Sequence, residues 1–144
     1  MLIAEVLRRK GSLVATVTPD SSVALAVGRL AEHGVGALVV SVDGAHIDGI
    51  VSERDVVRHL HHAGARLLDE RVRTIMTVDV RTCSPNDTVD DLMVVMTEHR
   101  IRHLPVVEGE ALVGIVSIGD VVKSRIGDLE GERNDLIAYV TRGG

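Results

Sequence analysis

Residues 49–57 read Gly-Ile-Val-Ser-Glu-Arg-Asp-Val-Val, and residues 114–122 return the same pattern as Gly-Ile-Val-Ser-Ile-Gly-Asp-Val-Val. Closer to the N-terminus, Thr-Val-Thr-Pro-Asp-Ser-Ser-Val at 16–23 returns as Thr-Cys-Ser-Pro-Asn-Asp-Thr-Val at 82–89. The offset is 65 residues for the first pair and 66 for the second, so the two copies differ by one loop residue. An internal repeat defines the structural unit of a chain. We therefore predict two related half-modules, with the functional site where they meet.

The composition limits the class of protein. The 144 residues suffice for one domain, whereas a single repeat of about 60 residues would be only marginally stable alone. There is no Phe or Trp, so the core must be aliphatic, and the one cysteine suits a reducing compartment. A net charge of −5 argues against general nucleic-acid binding, and no apolar run reaches the ~20 residues of a membrane span. The N-terminus does not resemble a signal peptide. We expect a cytoplasmic protein without nucleic-acid or membrane partners.

Hydrophobic spacing and turn residues predict the order β-α-β-β-α in each repeat, and hence an α+β fold. In the first repeat we expect strands at 14–17, 37–42 and 47–51, and helices at 23–33 and 52–62. In the second we expect strands at 80–83, 104–107 and 112–116, and helices at 89–99 and 118–126. Further helices are predicted at 1–10, 72–76 and 128–140.

These elements divide the chain into four segments: repeat 1 at 1–62, a connection at 63–79, repeat 2 at 80–126 and a C-terminal helical tail at 127–144. The tail carries an apolar stripe that includes Leu129, Leu136 and Val140. Such a stripe requires a partner, which is either the rest of this chain or a second subunit.

The repeated strand-to-helix junction carries the chemistry. Ser52 and Ser117 stand where a helix begins, and Asp55 and Asp120 follow three residues later. A helix N-terminus binds phosphate, a serine hydroxyl donates to a phosphate oxygen, and a carboxylate accepts from ribose hydroxyls. The same Ser-x-x-Asp spacing also forms a helix cap, so both interpretations remain open. The duplication favours the nucleotide-binding interpretation, because a hydrophobic core requires neither polar residues at this junction nor the glycines at 49 and 114.

The doubled Gly-Ile-Val-Ser-x-x-Asp, with a strand, proline and helix upstream, resembles tandem cystathionine-β-synthase (CBS) domains, the pair called a Bateman module. Arg-Ile-Arg-His-Leu-Pro-Val at 100–106 and the terminal helix resemble the stand-alone members in particular. This resemblance implies two β-α-β-β-α repeats packed about a pseudo-two-fold axis, with two clefts between them. It further implies a non-catalytic regulatory or energy-sensing module that binds AMP, ATP, NAD or S-adenosylmethionine, forms a homodimer and signals to an effector protein.

The resemblance also implies which residues would hold the nucleotide. The second site would comprise Val78, Val80, Ile101, Arg102, His103, Leu104, Pro105, Ser117, Gly119 and Asp120. The first would comprise Ser12, Val14, Val35, Gly36, Ala37, Ser52, Arg54 and Asp55. Arg54 is a good phosphate partner, whereas Gly119 at the matching place is not. Because Arg100, Arg102 and Lys123 lie nearby in sequence, we nevertheless expect the second site to be the better formed and the first to be weak or empty.

Other chemistry is less well supported by the sequence. The histidines at 59, 61 and 62 do not converge on a helix, so we expect no metal site there. Cys83 lies on an apolar segment and is expected to be a small buried residue, while His33 and His99 are expected to be structural helix ends. No set of nucleophile, base and orienting group indicates catalysis. The alternative function is a ligand-free dimerisation or docking protein.

Overall fold

The computed structural model describes residues 1–143. Its helices are α1 (Ile3–Lys10), α2 (Val23–His33), α3 (Glu53–Ala63), α4 (Val72–Ile75), α5 (Val89–His99) and α6 (Ile118–Thr141). Its strands are β1 (Thr16–Val17), β2 (Ala37–Val40), β3 (Gly49–Ser52), β4 (His103–Glu108) and β5 (Ala111–Ser117). A 3₁₀ helix at Gly64–Asp69 follows α3. The predicted α+β class and the order within the first repeat are confirmed.

Each repeat contributes its own small sheet. In the first, β1 pairs parallel with β2, and β2 pairs antiparallel with β3. In the second, β4 and β5 form an antiparallel pair with a bulge between Val106 and Val107. All four residues of β2 are buried. Because successive side chains of a strand point to opposite faces, both faces of this sheet are covered.

Two predicted elements are wrong. Residues 80–83, all described, form no strand: the Val80 amide bonds back to the Val78 carbonyl, which turns the chain, and only Cys83 bridges to Val106. The tail is not a separate helix, since α6 runs unbroken from Ile118 to Thr141. No proline interrupts it, and an interior glycine such as Gly127 costs a helix only about 1 kcal/mol relative to alanine.

The helix that precedes each repeat packs into the other repeat. We call α1 and α4 the lead helices. The α1 side chains lie in the core of the second repeat, which comprises Ile3, Val6, Leu7, Cys83, Val89, Leu92, Met96, Leu104, Val106, Val116 and Val121. The α4 side chains lie in the core of the first, which comprises Val17, Val23, Ala26, Leu30, Leu38, Val40, Val51, Leu67, Val72 and Ile75. Neither core is complete without a helix from outside its own β-α-β-β-α unit.

The backbone bonds of the lead helices follow the pseudo-two-fold relation. The Ile3 amide donates to the Asp87 carbonyl at 2.9 Å, and the Val72 amide donates to the Ser21 carbonyl at 2.8 Å. Asp87 and Ser21 occupy matching places in the two repeats, so Ile3 matches Val72. Separating the repeats would break these bonds and expose both cores to water.

The repeated glycines are required by this packing. A Cβ on Gly49 would lie 2.8 Å from the Thr77 carbonyl oxygen and 2.9 Å from the Met76 sulfur. A Cβ on Gly114 would lie 2.7 Å from a methyl group of Leu7. Leu7 and Met76 are matching residues, because Leu7 lies four residues after Ile3 and Met76 lies four residues after Val72. The expectation that packing does not require these glycines is therefore wrong.

Replacing Gly49 with alanine should destabilise the fold by about 1–3 kcal/mol, because the new methyl group meets a backbone oxygen that cannot move freely. The matched control is Gly127→Ala in α6, where a Cβ meets nothing within 4 Å. That control should raise stability by about 1 kcal/mol through helix propensity. Urea unfolding of both variants measures the difference; equal midpoints would contradict the close approach at Gly49.

Candidate functional site

Both Ser-x-x-Asp sequences form reciprocal helix caps. At the start of α3, the Ser52 hydroxyl accepts from the Asp55 amide at 3.3 Å, and an Asp55 carboxylate oxygen accepts from the Ser52 amide at 2.9 Å. At the start of α6, the same two bonds between Ser117 and Asp120 measure 3.1 and 2.9 Å. In each cap the same oxygen, Oδ2, carries the bond from the serine amide. The other carboxylate oxygen remains available to a ligand.

A cavity of about 610 Å³ lies beside the Ser52–Asp55 cap. This volume lies within the range of small-molecule sites. Three segments line it: residues 36–58 of the first repeat, residues 77–81 where the connection passes into the second repeat, and residues 99–103 from the end of α5 to the start of β4. The lining residues are Gly36, Ala37, Ile50, Ser52, Glu53, Arg54, Asp55, Arg58, Thr77, Asp79, Val80, Arg81, His99, Arg100, Ile101, Arg102 and His103. The cavity is therefore a feature of the contact between the repeats.

The cavity does not follow the predicted division into two sets of residues. It combines Gly36, Ala37, Ser52, Arg54 and Asp55 of the first predicted site with Val80, Ile101, Arg102 and His103 of the second. Outside it lie Ser12, Val14, Val35, Val78, Leu104, Pro105, Ser117, Gly119 and Asp120.

The two sets meet because the repeats pack through matching strand ends. The His103 ring lies so close to Gly36 that a Cβ there would be 3.0 Å from it. This contact joins the beginning of β4 to the residue just before β2. It depends on packing between repeats, which no local pattern in either repeat reports.

Several lining residues were missed by sequence reasoning. They are Ile50, Glu53, Arg58, Thr77, Asp79, Arg81 and His99, while Arg100, expected only as a cation near the second site, also lines the cavity. Arg58 carried a signal, because it follows Arg54 by four residues and so shares its face of α3. His99, expected to be a structural helix end, lines the cavity as well.

At the second junction, Asp120 already holds a cation from its own chain. The Lys10 ammonium lies 2.6 Å from an Asp120 carboxylate oxygen and 2.9 Å from the Ile115 carbonyl oxygen. Burial raises the pKa of Asp120, but hydrogen bonds from Lys10 and Ser117 outweigh it and hold this pKa below the usual value. Asp55 has no ion pair within residues 1–143. The place that matches Lys10, seven residues after Val72, holds Asp79.

His103 takes part in the contact between the repeats, where its ring lies against Gly36. Burial lowers the pKa of its imidazole, and the cations Lys10 and Arg102 act in the same direction. The carboxylates of Glu53 and Asp120 oppose this effect without reversing it. Above the usual histidine pKa of about 6.5 the ring is therefore neutral, which suits its packing against Gly36.

Other groups offer less chemistry. Cys83 is buried among apolar side chains, so the expectation of a small buried residue is confirmed, and burial raises the pKa of its thiol to about 12. His59 bonds through Nδ1 to the Asp55 carbonyl oxygen at 2.8 Å. In the part of the chain that the structure describes, no group of three or more histidine, cysteine or acidic side chains could hold a metal ion. None of the described helices is long and apolar enough to cross a membrane.

Comparisons with known proteins agree with this architecture. The family model described as "CBS domain" matches twice, at residues 5–62 and 72–127. The mitochondrial CBS domain-containing protein CBSX3 of Arabidopsis thaliana is 36% identical over 98% of this chain and 72% of its own length.

Solved structures agree as well. A CBS-domain protein of Agrobacterium tumefaciens superimposes with a TM-score of 0.83 at 46% identity, over 87% of this chain and 99% of that one. The CBS domain pair of protein MJ0100, solved with 5-methylthioadenosine and S-adenosyl-L-methionine, has a TM-score of 0.78 at 24% identity over 89% of this chain and 98% of its own. That last likeness concerns the fold.

Acidification should destabilise the protein through His103. Because its folded pKa is lowered, the unfolded chain takes up a proton first, so stability is fully present above pH ~6.5 and falls as the pH drops below that value. His103→Gln should lose less stability between pH 7 and 5 than the unaltered protein does.

His46 should show the opposite pH dependence. Asp43 raises the pKa of His46, so the stabilisation from this pair is fully present below pH ~6.5 and is lost as the pH rises. His46→Gln should therefore lose more stability on acidification. Melting curves that fall equally in all three proteins would contradict both assignments.

Proposed function

The chain belongs to the CBS-domain family, and we propose that it is a non-catalytic regulatory module that binds an adenine nucleotide of the AMP, NAD or ATP class. The single observation that carries the proposal is the cavity between the repeats. Its lining includes Asp55, the first residues of α3 and several arginines, and its volume suits a nucleotide, which supports the proposal. Adenosine derivatives bound to the related pair of MJ0100 support the choice of base.

The lining suggests how the parts of a nucleotide would be divided. Asp55 would accept from the ribose hydroxyls with the oxygen that its cap leaves available. The amides that begin α3, together with Arg54 and Arg58, would receive phosphate. The apolar side chains of Val80 and Ile101 would cover the base. In this arrangement one ligand contacts both repeats.

We propose one nucleotide per chain, at the Ser52–Asp55 site. This reverses the preference for the second repeat that the sequence favoured. The reason is that Lys10 already neutralises Asp120, whereas the matching Asp79 cannot do so for Asp55. A ligand at the second junction would meet a carboxylate whose charge is already paired with Lys10, so the hydrogen bond from a ribose to Asp120 would be weaker there than to Asp55.

A module of this kind would act through a partner. Because its ligand touches both repeats, binding favours whichever angle between them suits the nucleotide, and an effector protein that prefers one angle would respond. We place this activity in the cytoplasm, since the unpaired Cys83 suits a reducing compartment.

The second candidate is a ligand-free docking protein. One observation favours it: the two caps fully account for the repeated serine and aspartate. In that case both aspartates would serve stability alone.

A matched pair of variants separates the two candidates. Asp55→Ala and Asp120→Ala each remove the carboxylate half of a reciprocal cap, and Asp120→Ala also removes the ion pair with Lys10, so each should cost about 0.5–2 kcal/mol of stability, with Asp120→Ala the more costly. Only Asp55→Ala should weaken nucleotide binding, by about tenfold or more, because a buried charge-assisted hydrogen bond is lost. Isothermal titration with AMP, ATP and NAD measures affinity and stoichiometry. Absence of binding to any of these by the unaltered protein would favour the docking protein.

We also propose that the protein is a homodimer that buries the outer face of α6. Six large apolar side chains along this helix are about half exposed or more: Ile126, Leu129, Leu136, Ile137, Tyr139 and Val140. Their three- and four-residue spacing places most of them on one stripe of the helix. A solitary α6 would leave that stripe in water, where apolar surface is unfavourable.

Charge on this stripe should dissociate the dimer. Leu129→Glu combined with Leu136→Glu should convert the mass measured by light scattering from two chains to one, with the fold intact by circular dichroism. The control is Leu13→Glu, because Leu13 is 87% exposed on the loop that follows α1 and is not part of the α6 stripe. A dimer that survives the double change would place the interface elsewhere.

A further inference from the structure

We propose that this cavity is a polyphosphate site, and that Arg100 selects ligands with two or more phosphates over a nucleoside or a monophosphate. The inference rests on the proposed function and adds to it the class of ligand. It depends on two separate observations, the set of guanidinium groups and the backbone of Arg100.

Five arginines are among the residues that line the cavity, namely Arg54, Arg58, Arg81, Arg100 and Arg102. The carboxylates there number three, on Glu53, Asp55 and Asp79, and one oxygen of Asp55 is already committed to the cap of α3. This cationic lining belongs to a protein whose net charge is −5. The positive charge is therefore concentrated locally and is not a property of the whole surface.

None of these five arginines forms an ion pair or a side-chain hydrogen bond in the described chain. Other arginines do have partners, such as Arg73 with Asp20 and Arg125 with Asp90. A guanidinium group forms its strongest bonds in pairs with carboxylate or phosphate oxygens. The cavity therefore holds donors that an anionic ligand would satisfy.

The arginines are spread over three segments. Arg54 and Arg58 lie one turn apart on α3, Arg81 follows the connection, and Arg100 and Arg102 precede β4. A single phosphate has three terminal oxygens close together. These oxygens are too few to pair with five arginines that lie on three separate segments. A chain of phosphates extends along such a lining and meets more than one pair of arginines.

Arg100 occupies a backbone conformation that suits glycine. Its φ is 52° and its ψ is 43°, and no other non-glycine residue between Met1 and Gly143 has a positive φ. The matching end of α2 has Gly34 at φ 62° and ψ 37°. The left-handed region is strained for a residue with a Cβ, and such strain clusters at functional sites. Gly34 adopts this conformation without strain in the first repeat. Arg100 adopts it with strain in the second, at a position that lines the cavity.

The test measures affinity against phosphate number. The unaltered protein is titrated with adenosine, AMP, ADP, ATP and inorganic tripolyphosphate at physiological ionic strength. We expect ATP to bind about tenfold or more tightly than AMP, since each additional charge-assisted pair contributes at least this factor. Raising the salt concentration should weaken the binding of ATP more than the binding of adenosine.

The variant Arg100→Gly reproduces the first repeat. It should melt at a higher temperature than the unaltered protein, bind ATP about tenfold more weakly and bind adenosine equally well. Arg100→Lys keeps the charge and the strained backbone, so it should retain part of the ATP affinity without the gain in stability. The control Arg9→Ala removes the same charge from an exposed position on α1 and should leave ATP affinity within about twofold.

The outcomes distinguish this inference from the function on which it rests. Equal affinity for AMP and ATP would overturn the polyphosphate site and leave the adenine-nucleotide function intact. No binding of any adenine ligand would overturn both. Tripolyphosphate binding as tightly as ATP would support the polyphosphate site and contradict recognition of adenine. Unchanged ATP affinity in Arg100→Gly would overturn the role of Arg100.

Discussion

The exchange of the lead helices is the contact on which the rest of this structure depends. Each repeat of about 60 residues is too small to bury a sufficient core by itself. Ile3 and Leu7 of α1 complete the core of the second repeat, and Val72 and Ile75 of α4 complete that of the first. The repeats are therefore joined through both of their cores as well as along one surface. The glycines at 49 and 114 are consequences of this exchange, because the residues associated with the lead helices approach them too closely for a side chain.

This joining fixes the geometry of the cavity. His103 packs against Gly36, so the beginning of β4 is held beside the cap of α3. The cap itself serves two purposes without conflict. One carboxylate oxygen of Asp55 accepts the bonds that cap the start of α3, and the other forms no hydrogen bond among the described residues. The same aspartate can therefore cap a helix and accept hydrogen bonds from a ribose. For this reason the Ser-x-x-Asp spacing alone does not distinguish the two roles.

The repeats share the order of their helices and main strand pairs but carry different charges. At three matched places the residues near the two junctions differ in charge: Arg54 against Gly119, Asp79 against Lys10, and Arg100 against Gly34. The Lys10 ammonium satisfies Asp120 within the chain, whereas the arginines near Asp55 have no partner among the described residues. Duplication supplied two equivalent positions, and substitution of a few charged residues made them unequal.

The sequence alone determined the repeat, the α+β class, the two caps and most helices and strands, because each of these depends on residues close together in the chain. Periodicity did not exclude a strand at 80–83, since Val80 turns back on Val78, and it did not show that α6 continues through Gly127. The last predicted residue, Gly144, lies outside the described residues. Only the tertiary structure decided that α1 serves the second repeat, that Lys10 meets Asp120 and that His103 joins the cavity of Asp55. Lys10 and Asp120 are 110 residues apart in sequence. Contacts of this kind are selected by packing between repeats, about which the local pattern of either repeat carries no information.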